Sequence, residues 1–475
     1  MFHNLWGVAL PLIAALVTVP PYLRALGEER YGILSLIWVL FGYFGLFDFG
    51  LSRSTANRLA KIGEGEPERR EIIFKTSLLM NLALGLIGAF SFAIVSHLTL
   101  TFIVKGSESF HIEILHALPL AALLLPITLV GNTFVGRLQA EERFYALNGI
   151  QSFGAVAMQL LPLGFIYLVH ISLSVAMLGC LVARSLWVFA LFLTVARTKH
   201  PGRASFAPAE AKELIKYGAW LTVTNVVGPI LVSLDQFMIA YVLGSGAVAR
   251  YSIPFNFAQK ATILPGAVTQ ALFPRLSSLS GAEAQEMANR SLVAVGGIMA
   301  LICAPAILLA DFGLSLWISP EFAHAASNVA RTILFGIWIN GLAYIPSCLL
   351  QAQGRVDITA RFHVIELVPF VLILFVLLHF FGLQGAAFAW VIRVSIDAAL
   401  LFGVTSFGRA TALGLLPSGA LMAVAWLGAL WAQPTTLVAL SLALTCSVVA
   451  VGSLLLTTPY ARQALHLLLP GRATH

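Results

Sequence analysis

Long runs of apolar residues recur along the whole chain, and short segments rich in charged residues, glycine and proline separate them. Each run has about the 20 residues that a helix needs to cross the hydrocarbon core of a bilayer. Lipid offers the backbone no hydrogen-bond partners, so spans this apolar are expected to be helical. The pattern therefore predicts an all-α polytopic membrane protein with about fourteen transmembrane helices. We place them near residues 4–24, 32–53, 75–98, 112–136, 148–170, 173–196, 217–241, 250–276, 290–311, 326–350, 358–381, 384–407, 414–432 and 436–457.

The composition excludes a soluble fold. Of the 475 residues, 59% are hydrophobic and only 10% are charged, and the mean hydropathy is +0.90. Soluble domains carry about 25% charged residues. The net charge of +7 could indicate a nucleic-acid partner, but the basic residues are confined to short loops, which is typical of membrane proteins. We therefore expect no nucleic-acid partner.

The loop charges predict an orientation. The predicted loops after the second and sixth helices are both basic, and basic loops stay on the cytoplasmic side. Following the helices from there puts about 20 Lys and Arg inside and about 5 outside, so both termini are expected in the cytoplasm and the protein in the bacterial inner membrane. The first helix lacks the features of a cleaved signal peptide. The basic residues of the two loops are Arg53, Arg58, Lys61, Arg69, Arg70, Lys75, Arg197, Lys199, Arg203, Lys212 and Lys216.

An internal repeat sets the predicted architecture. Short landmarks recur in the same order at a separation of roughly 210 to 220 residues, the kind of period that indicates a duplication. We expect two six-helix lobes, residues 1–200 and 217–408, related by a pseudo-twofold axis along the membrane normal. An amphipathic cytoplasmic linker, 201–216, joins them, and 409–475 adds two helices and a tail. The landmark pairs are Leu26-Gly27 with Leu243-Gly244, Arg58-Leu59 with Arg275-Leu276, and Leu138-Gln139-Ala140 with Leu350-Gln351-Ala352.

Four stretches carry a resemblance to a known family. They are PYLRALGEERYGILSL, SLDQFMIAYVLGSGAVARYSIPFNFAQK, LLQAQGR and GLQGAAFAWVIRVSIDAALL. With them the whole chain resembles the polysaccharide-transporter branch, which contains the Wzx-like O-antigen flippases, of the multidrug/oligosaccharidyl-lipid/polysaccharide exporter superfamily. The resemblance implies a MATE-like fold that turns undecaprenyl-pyrophosphate-linked sugar units from the cytoplasmic to the periplasmic leaflet. It also implies membrane lipids, a polysaccharide polymerase and a chain-length regulator as partners.

Ionisable residues inside the spans are the candidate binding residues, because a charge at membrane depth is costly and usually faces a cavity or a partner. Lys260 and Asp235 fall in the middle of the eighth and seventh predicted helices, where they could form a pair or contact substrate. Arg184 is the repeat mate of Arg393 but has no acid four residues later. Its guanidinium is therefore a candidate for a substrate phosphate.

Other charges are expected near the helix ends or in pairs. Arg24, Arg53 and Asp48 could meet an entering or leaving pyrophosphate, or could anchor helix ends at the interface. Arg393 and Asp397 have the spacing of a structural or gating pair on one helix face. Glu366 and Asp311 are candidates for binding a coupling H⁺ or Na⁺.

Enzyme signatures are missing from the sequence. It has no GxxxxGK[ST], HExxH or GxSxG motif, and its four cysteines, Cys180, Cys303, Cys348 and Cys446, have no metal-ligand spacing. We expect no catalytic activity, metal or other cofactor. Three alternatives remain: a cation-coupled MATE-type drug exporter, a peptidoglycan-precursor flippase, and a membrane glycan polymerase or ligase. The short predicted outer loops argue against the last.

Overall fold

The computed structural model describes residues 2–62, 65–104, 108–196, 206–405, 407–432 and 436–457, which are helical almost throughout and contain no strand. This confirms the all-α prediction. The helices are α1 Phe2–Phe44, α2 Leu51–Ile62, α3 Pro67–Ile103, α4 Glu108–Ala140, α5 Phe144–Leu168, α6 Leu173–Ala196, α7 Pro208–Leu243, α8 Ser245–Ala258, α9 Ile263–Ser278, α10 Gly281–Leu308, α11 Ala310–Trp317, α12 Pro320–Ala352, α13 Val356–Thr405, α14 Arg409–Ala432 and α15 Thr436–Thr457.

Two of these helices each contain two membrane-crossing arms. Gly27 in α1 and Gly382 in α13 have positive φ angles of 75° and 55°, which turn the chain back sharply because glycine has no Cβ to clash. The second arm of α1 and α2 form one interrupted span, as do α8 and α9, and the eight-residue α11 is too short to cross. When the arms of α1 and α13 are counted separately, the described residues then contain fourteen segments that could cross a membrane. The predicted number is confirmed.

The backbone repeats where the sequence repeats. Gly27 and Gly244, which the landmarks pair, have almost the same conformation, with φ/ψ of 75°/169° and 92°/168°. The turns after α4 and α12 also match. Glu142 and Gly354 both have positive φ, at 53° and 75°. The next amide donates to the carbonyl five residues earlier in each turn, at 3.0 Å for Arg143 and 2.8 Å for Arg355. The duplication is therefore structural.

A short 3-10 turn interrupts the second membrane helix of each repeat. It covers Gly45–Asp48 between α1 and α2, and Gln259–Thr262 between α8 and α9. A 3-10 turn inside a helix often marks a hinge or a functional position. These interruptions were not among the predicted features, but Asp48 and Lys260, two of the predicted site residues, lie within them.

The seventh helix is longer than expected. The predicted linker and the predicted span 217–241 form one helix from Pro208, because no proline between Pro208 and Pro229 removes a backbone donor. Residues 201–205 of the linker and 458–475 of the tail lie outside the described residues.

Packing divides the chain into a first compact unit, Met1–Ala249, and a second, Arg250–His475, so that α7 packs with the first. The lobe boundaries drawn from the repeat stay a prediction.

Tryptophans packed on glycines bring helices close together inside each unit. In the first unit Trp187 of α6 lies against Gly131 of α4 and Gly154 of α5, where an added Cβ would come within 2.2 Å and 2.3 Å of the ring. In the second unit Trp390 of α13 lies against Gly336 of α12 in the same way. Small residues at such contacts let membrane helices approach closely.

Candidate functional site

Arg184 is a cation inside a membrane helix with no anion beside it. Among the described residues its guanidinium makes no ion pair, and its Nε has no hydrogen-bond partner. Its Cζ lies 5.0 Å from the centre of the Trp187 ring, a cation–π contact. Because Gly131 and Gly154 fix that ring, α4 and α5 indirectly position the charge. The structure thus leaves Arg184 unmatched, as the sequence predicts.

Arg137, at the end of α4, shows how the same unit treats a buried arginine that is structural. It is 5% exposed, and its guanidinium donates to Glu71 and Glu141, both at 3.0 Å. Its Cζ also lies 4.4 Å from the centre of the Phe74 ring. Two carboxylates and an aromatic ring surround this cation, so it needs no ligand. The contrast makes Arg184 the better candidate for binding an anion.

The repeat mate of Arg184 is matched by acids. The Arg393 guanidinium lies over the Phe370 ring at 5.6 Å, and its Nε is 3.8 Å from a Glu366 carboxylate oxygen. The Oδ1 of Asp397 lies 3.9 Å from the Nε2 of His363, and Asp397 also interacts electrostatically with Arg393. The predicted Arg393–Asp397 pair therefore sits in a larger group of four ionisable side chains, which also includes the predicted Glu366.

We call these four side chains the α13 cluster. Glu366 and Asp397 are buried, and their carboxyl groups face each other across the two arms of α13. Both oxygens of Glu366 and one of Asp397 lack a hydrogen-bond donor in the described part of the chain. The predicted role of Glu366 in binding a coupling ion stays a prediction. His363 is the member of this cluster that the sequence analysis missed.

Asp235 is fully buried in α7, where the sequence analysis expected it. Its Oδ1 accepts a hydrogen bond from the Gln236 amide at 2.8 Å. Two residues earlier in α7, a hydrogen bond joins the Ser233 hydroxyl to the hydroxyl of Tyr43 in α1. These contacts connect α7 with α1 inside the first unit. The predicted substrate role of Asp235 stays a prediction.

The three charges predicted near helix ends, Asp48, Arg53 and Arg24, differ in their surroundings. Asp48 ends the first 3-10 turn, and its carboxylate accepts from the Ser52 hydroxyl at 2.6 Å and from the Ser52 amide at 3.4 Å. It therefore caps the start of α2. Arg53 on α2 and Arg24 on the first arm of α1 are exposed. Both stay available to an anion or to lipid headgroups.

Lys260 and Asp311 lie in the second unit, and both are exposed. Lys260 is part of the second 3-10 turn, and no carboxylate lies within 4 Å of its ammonium group among the described residues. Asp311 is in the first turn of the short helix α11. The structure places neither residue in the α13 cluster. Their predicted roles in substrate and ion binding stay predictions.

The structure adds one buried cation, Arg331, that is not among the candidate binding residues predicted from the sequence. Arg331 lies on α12, which begins six residues earlier than predicted and so carries this arginine well inside the helix. It is 4% exposed. The helix start signal Ser319-Pro320, in which Ser319 accepts from the Phe322 amide, could have placed it there. Within the described segments, no three His, Cys, Asp or Glu side chains are grouped to hold a metal ion.

The sequence matches two family models. The model described as Polysaccharide biosynthesis protein matches residues 4–280, and the model described as MatE matches residues 219–377. A proposed O-antigen transporter of Shigella flexneri is 31% identical over 404 residues, which cover 84% of this chain and 95% of that protein.

Two solved structures share the fold. Lipid II flippase MurJ in an inward closed conformation superposes with a TM-score of 0.74 at 13% identity, covering 98% of this chain and 99% of that one. An inward-facing multidrug resistance transporter of the MATE family superposes with a TM-score of 0.68 at 17% identity, covering 88% and 98%. At these identities the likeness concerns the fold alone.

Proposed function

Because the chain belongs to the Polysaccharide biosynthesis protein family of membrane transporters, we propose that it flips a lipid-linked oligosaccharide, with an undecaprenyl-pyrophosphate carrier, from the cytoplasmic to the periplasmic leaflet. A headgroup of sugars and phosphates cannot cross hydrocarbon unaided, since each polar group would lose its water. Protein groups must replace that water during the crossing, while the lipid tail stays in the bilayer.

The observation that carries this proposal is the unmatched guanidinium of Arg184. A charge at this depth is costly unless something anionic meets it. The chain supplies carboxylates to Arg137 and Arg393 but none to Arg184 among the residues described. A pyrophosphate is an anion whose oxygens suit the guanidinium fork. We therefore assign Arg184 to the phosphate part of the substrate, and the exposed cations Arg24, Arg53 and Lys260 to its entry and exit.

The predicted orientation determines which turns face each side of the membrane. If both termini are cytoplasmic, the turns at Gly27 and Gly382 are periplasmic, and the turns after α4 and α12 are cytoplasmic. Cysteine labelling in intact cells checks this: a probe that does not cross membranes should label His170→Cys but not Ser278→Cys. The reverse pattern would reject the orientation.

We further propose that the α13 cluster couples transport to a cation gradient, with H⁺ as the first candidate and Na⁺ as the second. Protonation of the facing pair Glu366 and Asp397 would neutralise one negative charge and leave the positive charge of Arg393 less well compensated. Such a change in charge can shift the equilibrium between two conformations of a protein. Transport by liposomes with an imposed proton gradient should respond to that gradient, and transport by Glu366→Gln should not.

The match to the MatE model favours one competing function, cation-coupled export of drugs. The two functions differ in what a loss of the gene changes. Loss of a saccharide flippase removes a surface glycan and leaves dye efflux intact. Loss of a drug exporter does the reverse, so a paired assay of surface glycan and dye retention separates them.

The test of the proposed site is Arg184→Gln in cells that depend on this protein for their surface polysaccharide. Removing one charge-assisted phosphate contact costs about 1.5–3 kcal/mol, so surface polysaccharide synthesis should fall about tenfold or more. Arg184→Lys keeps the charge but loses the fork, and should retain an intermediate rate. Immunoblots establish that the protein levels are equal.

Arg361→Gln is the matched control. Arg361 also lies on a membrane helix, but its side chain is 75% exposed and its partner Asp357 is 3.3 Å away. An exposed pair contributes little, so this variant should behave as the wild type. Wild-type polysaccharide in Arg184→Gln would remove Arg184 from the site.

A further inference from the structure

A groove along the first half of α10 is separate from the proposed transport site. It encloses about 520 Å³, and its lining combines apolar side chains with charged ones. Leu279 and Met287 are half-buried there, whereas Glu283 and Glu286 are exposed. Glu286 pairs with Arg290 at 2.7 Å, so the charged groups of the lining sum to one negative charge. The groove therefore suits a partner that is apolar and basic.

The groove continues the face of α10 on which α15 packs. Leu454, near the end of α15, lies against Gly297 of α10, where an added Cβ would come within 2.7 Å of the leucine side chain. Arg290, Glu286 and Glu283 precede Gly297 by 7, 11 and 14 residues, which are close to whole turns of a helix. They therefore lie on the same side of α10 as Gly297. The helix α15 covers the later part of this face, and the groove occupies the earlier part.

The chain leaves α15 beside the groove. The helix α14 begins next to the first half of α10, since a Cβ on Gly414 would come within 2.9 Å of the Val293 side chain. Only three residues separate α14 from α15, so α15 runs back toward the end of α10 where α14 begins. Its last residue, Thr457, is about one turn beyond Leu454 in that direction. The residues that follow Thr457 therefore start next to the groove.

These following residues, 458–475, lie outside the described residues, but their sequence predicts a short amphipathic helix. Thr458-Pro459 is a helix start signal, and Pro470-Gly471 is a stop signal. Between them, apolar residues recur at the spacing of one helix face, and polar residues fall on the opposite side. The apolar positions are Ala461, Ala464, Leu465 and Leu468, and the polar ones are Arg462, Gln463 and His466. Because residues 458–475 contain two arginines, two histidines and no acid, the segment is basic as well as apolar.

The segment and the groove also match in length. Residues 459–469 would form a helix of about 16 Å, and the groove from Ala282 to Ala294 extends about 18 Å along α10. Only Thr458 separates Thr457 from Pro459, so the predicted helix begins where α15 ends. A basic amphipathic helix also suits a membrane surface. The groove is favoured because it adjoins the start of the segment and carries acids.

We propose that residues 459–469 dock as an amphipathic helix in the α10 groove. The side with Leu465 and Leu468 covers Leu279 and Met287, which removes apolar surface from water. The basic residues of the segment lie close to the net negative charge of the groove, which attracts them. The docked segment joins the end of α15 to the start of α10. This interface goes beyond the proposed function and does not depend on it.

Thiol labelling of the protein in lipid nanodiscs tests the docking. The readout is the rate at which a charged maleimide labels Met287→Cys, with the native thiols of the wild type as background. Ending the chain after Thr457 should raise this rate at least fivefold, because the segment no longer covers position 287. Gln285→Cys is the control, since position 285 lies on the opposite side of α10, and its rate should change less than twofold.

Two results of this labelling would overturn the proposal. An unchanged rate for Met287→Cys would place the segment elsewhere, such as on the lipid surface. Equal rises for Met287→Cys and Gln285→Cys would show that the shortened chain loosens α10 as a whole.

Substitutions in the intact chain make the test independent of truncation. Leu465→Asp places a charge on the apolar side of the segment and should raise the labelling rate of Met287→Cys at least fivefold. Gln463→Asp places the same charge on the opposite side and should change that rate less than twofold. The docking is rejected if Gln463→Asp acts as strongly as Leu465→Asp, or if neither has an effect.

Disulfide formation tests the contact itself. Met287→Cys and Leu465→Cys should cross-link at least tenfold faster than Gln285→Cys and Leu465→Cys, and equal rates for the two pairs would contradict the docking. None of these measurements involves transport. A chain in which the segment docks but no lipid is flipped would therefore reject the proposed function and leave this interface intact.

Discussion

The turn after α4 and the turn after α12 have the same hydrogen bonds but differ at their left-handed residue. Gly354 takes this conformation freely, whereas Glu142, at φ 53°, carries a Cβ that clashes in it. The glutamate is exposed and makes no ion pair among the described residues. The first repeat therefore keeps a strained residue where the second has relieved the strain.

Exchanging these residues should change stability in opposite directions. Glu142→Gly should raise the free energy of unfolding by about 0.5–1 kcal/mol, because the strain of a left-handed L residue exceeds the entropy that glycine loses. Gly354→Ala should lower it by about 1 kcal/mol through the backbone alone, because nothing lies within 4 Å of the added Cβ. Thermal unfolding in detergent measures both. Equal shifts of the same sign would show that the two turns are not equivalent.

At the scale of helices, glycines decide how closely the candidate site is assembled. Trp187 is held between α4 and α5 only because Gly131 and Gly154 have no side chain, and Trp187 in turn lies under Arg184. The position of the Arg184 guanidinium therefore depends on how Gly131 and Gly154 pack against Trp187. A change at either glycine should affect stability and transport together.

Gly131→Ala should destabilise the first unit by about 1–3 kcal/mol, because its Cβ would lie 2.2 Å from the Trp187 ring, which has no space to move toward Gly154. It should also reduce transport by displacing Arg184. Gly164→Ala on α5 is the control, since its added Cβ meets nothing within 4 Å and alanine favours a helix. Thermal unfolding and surface polysaccharide are the readouts. Equal effects of the two substitutions would reject the packing argument.

For the whole molecule, the number of spans, the repeat and the unmatched Arg184 could be predicted from the sequence, because hydropathy, landmark order and charge spacing are local properties. The grouping of Glu366 and His363 with Arg393 and Asp397 could not, because it depends on how the two arms of α13 fold back at Gly382. The packing of α7 with the first unit could not be predicted from the repeat either, since contacts such as Tyr43 with Ser233 join helices far apart in sequence.

The most direct test of the account is the rate at which liposomes containing the purified protein flip a fluorescent undecaprenyl-pyrophosphate-linked oligosaccharide. We expect wild type and Arg361→Gln to flip it well above the rate of empty liposomes, and Arg184→Gln to be about tenfold slower or more, as the loss of a charge-assisted contact requires. A wild-type rate no higher than that of empty liposomes, or an undiminished rate for Arg184→Gln, would contradict the account.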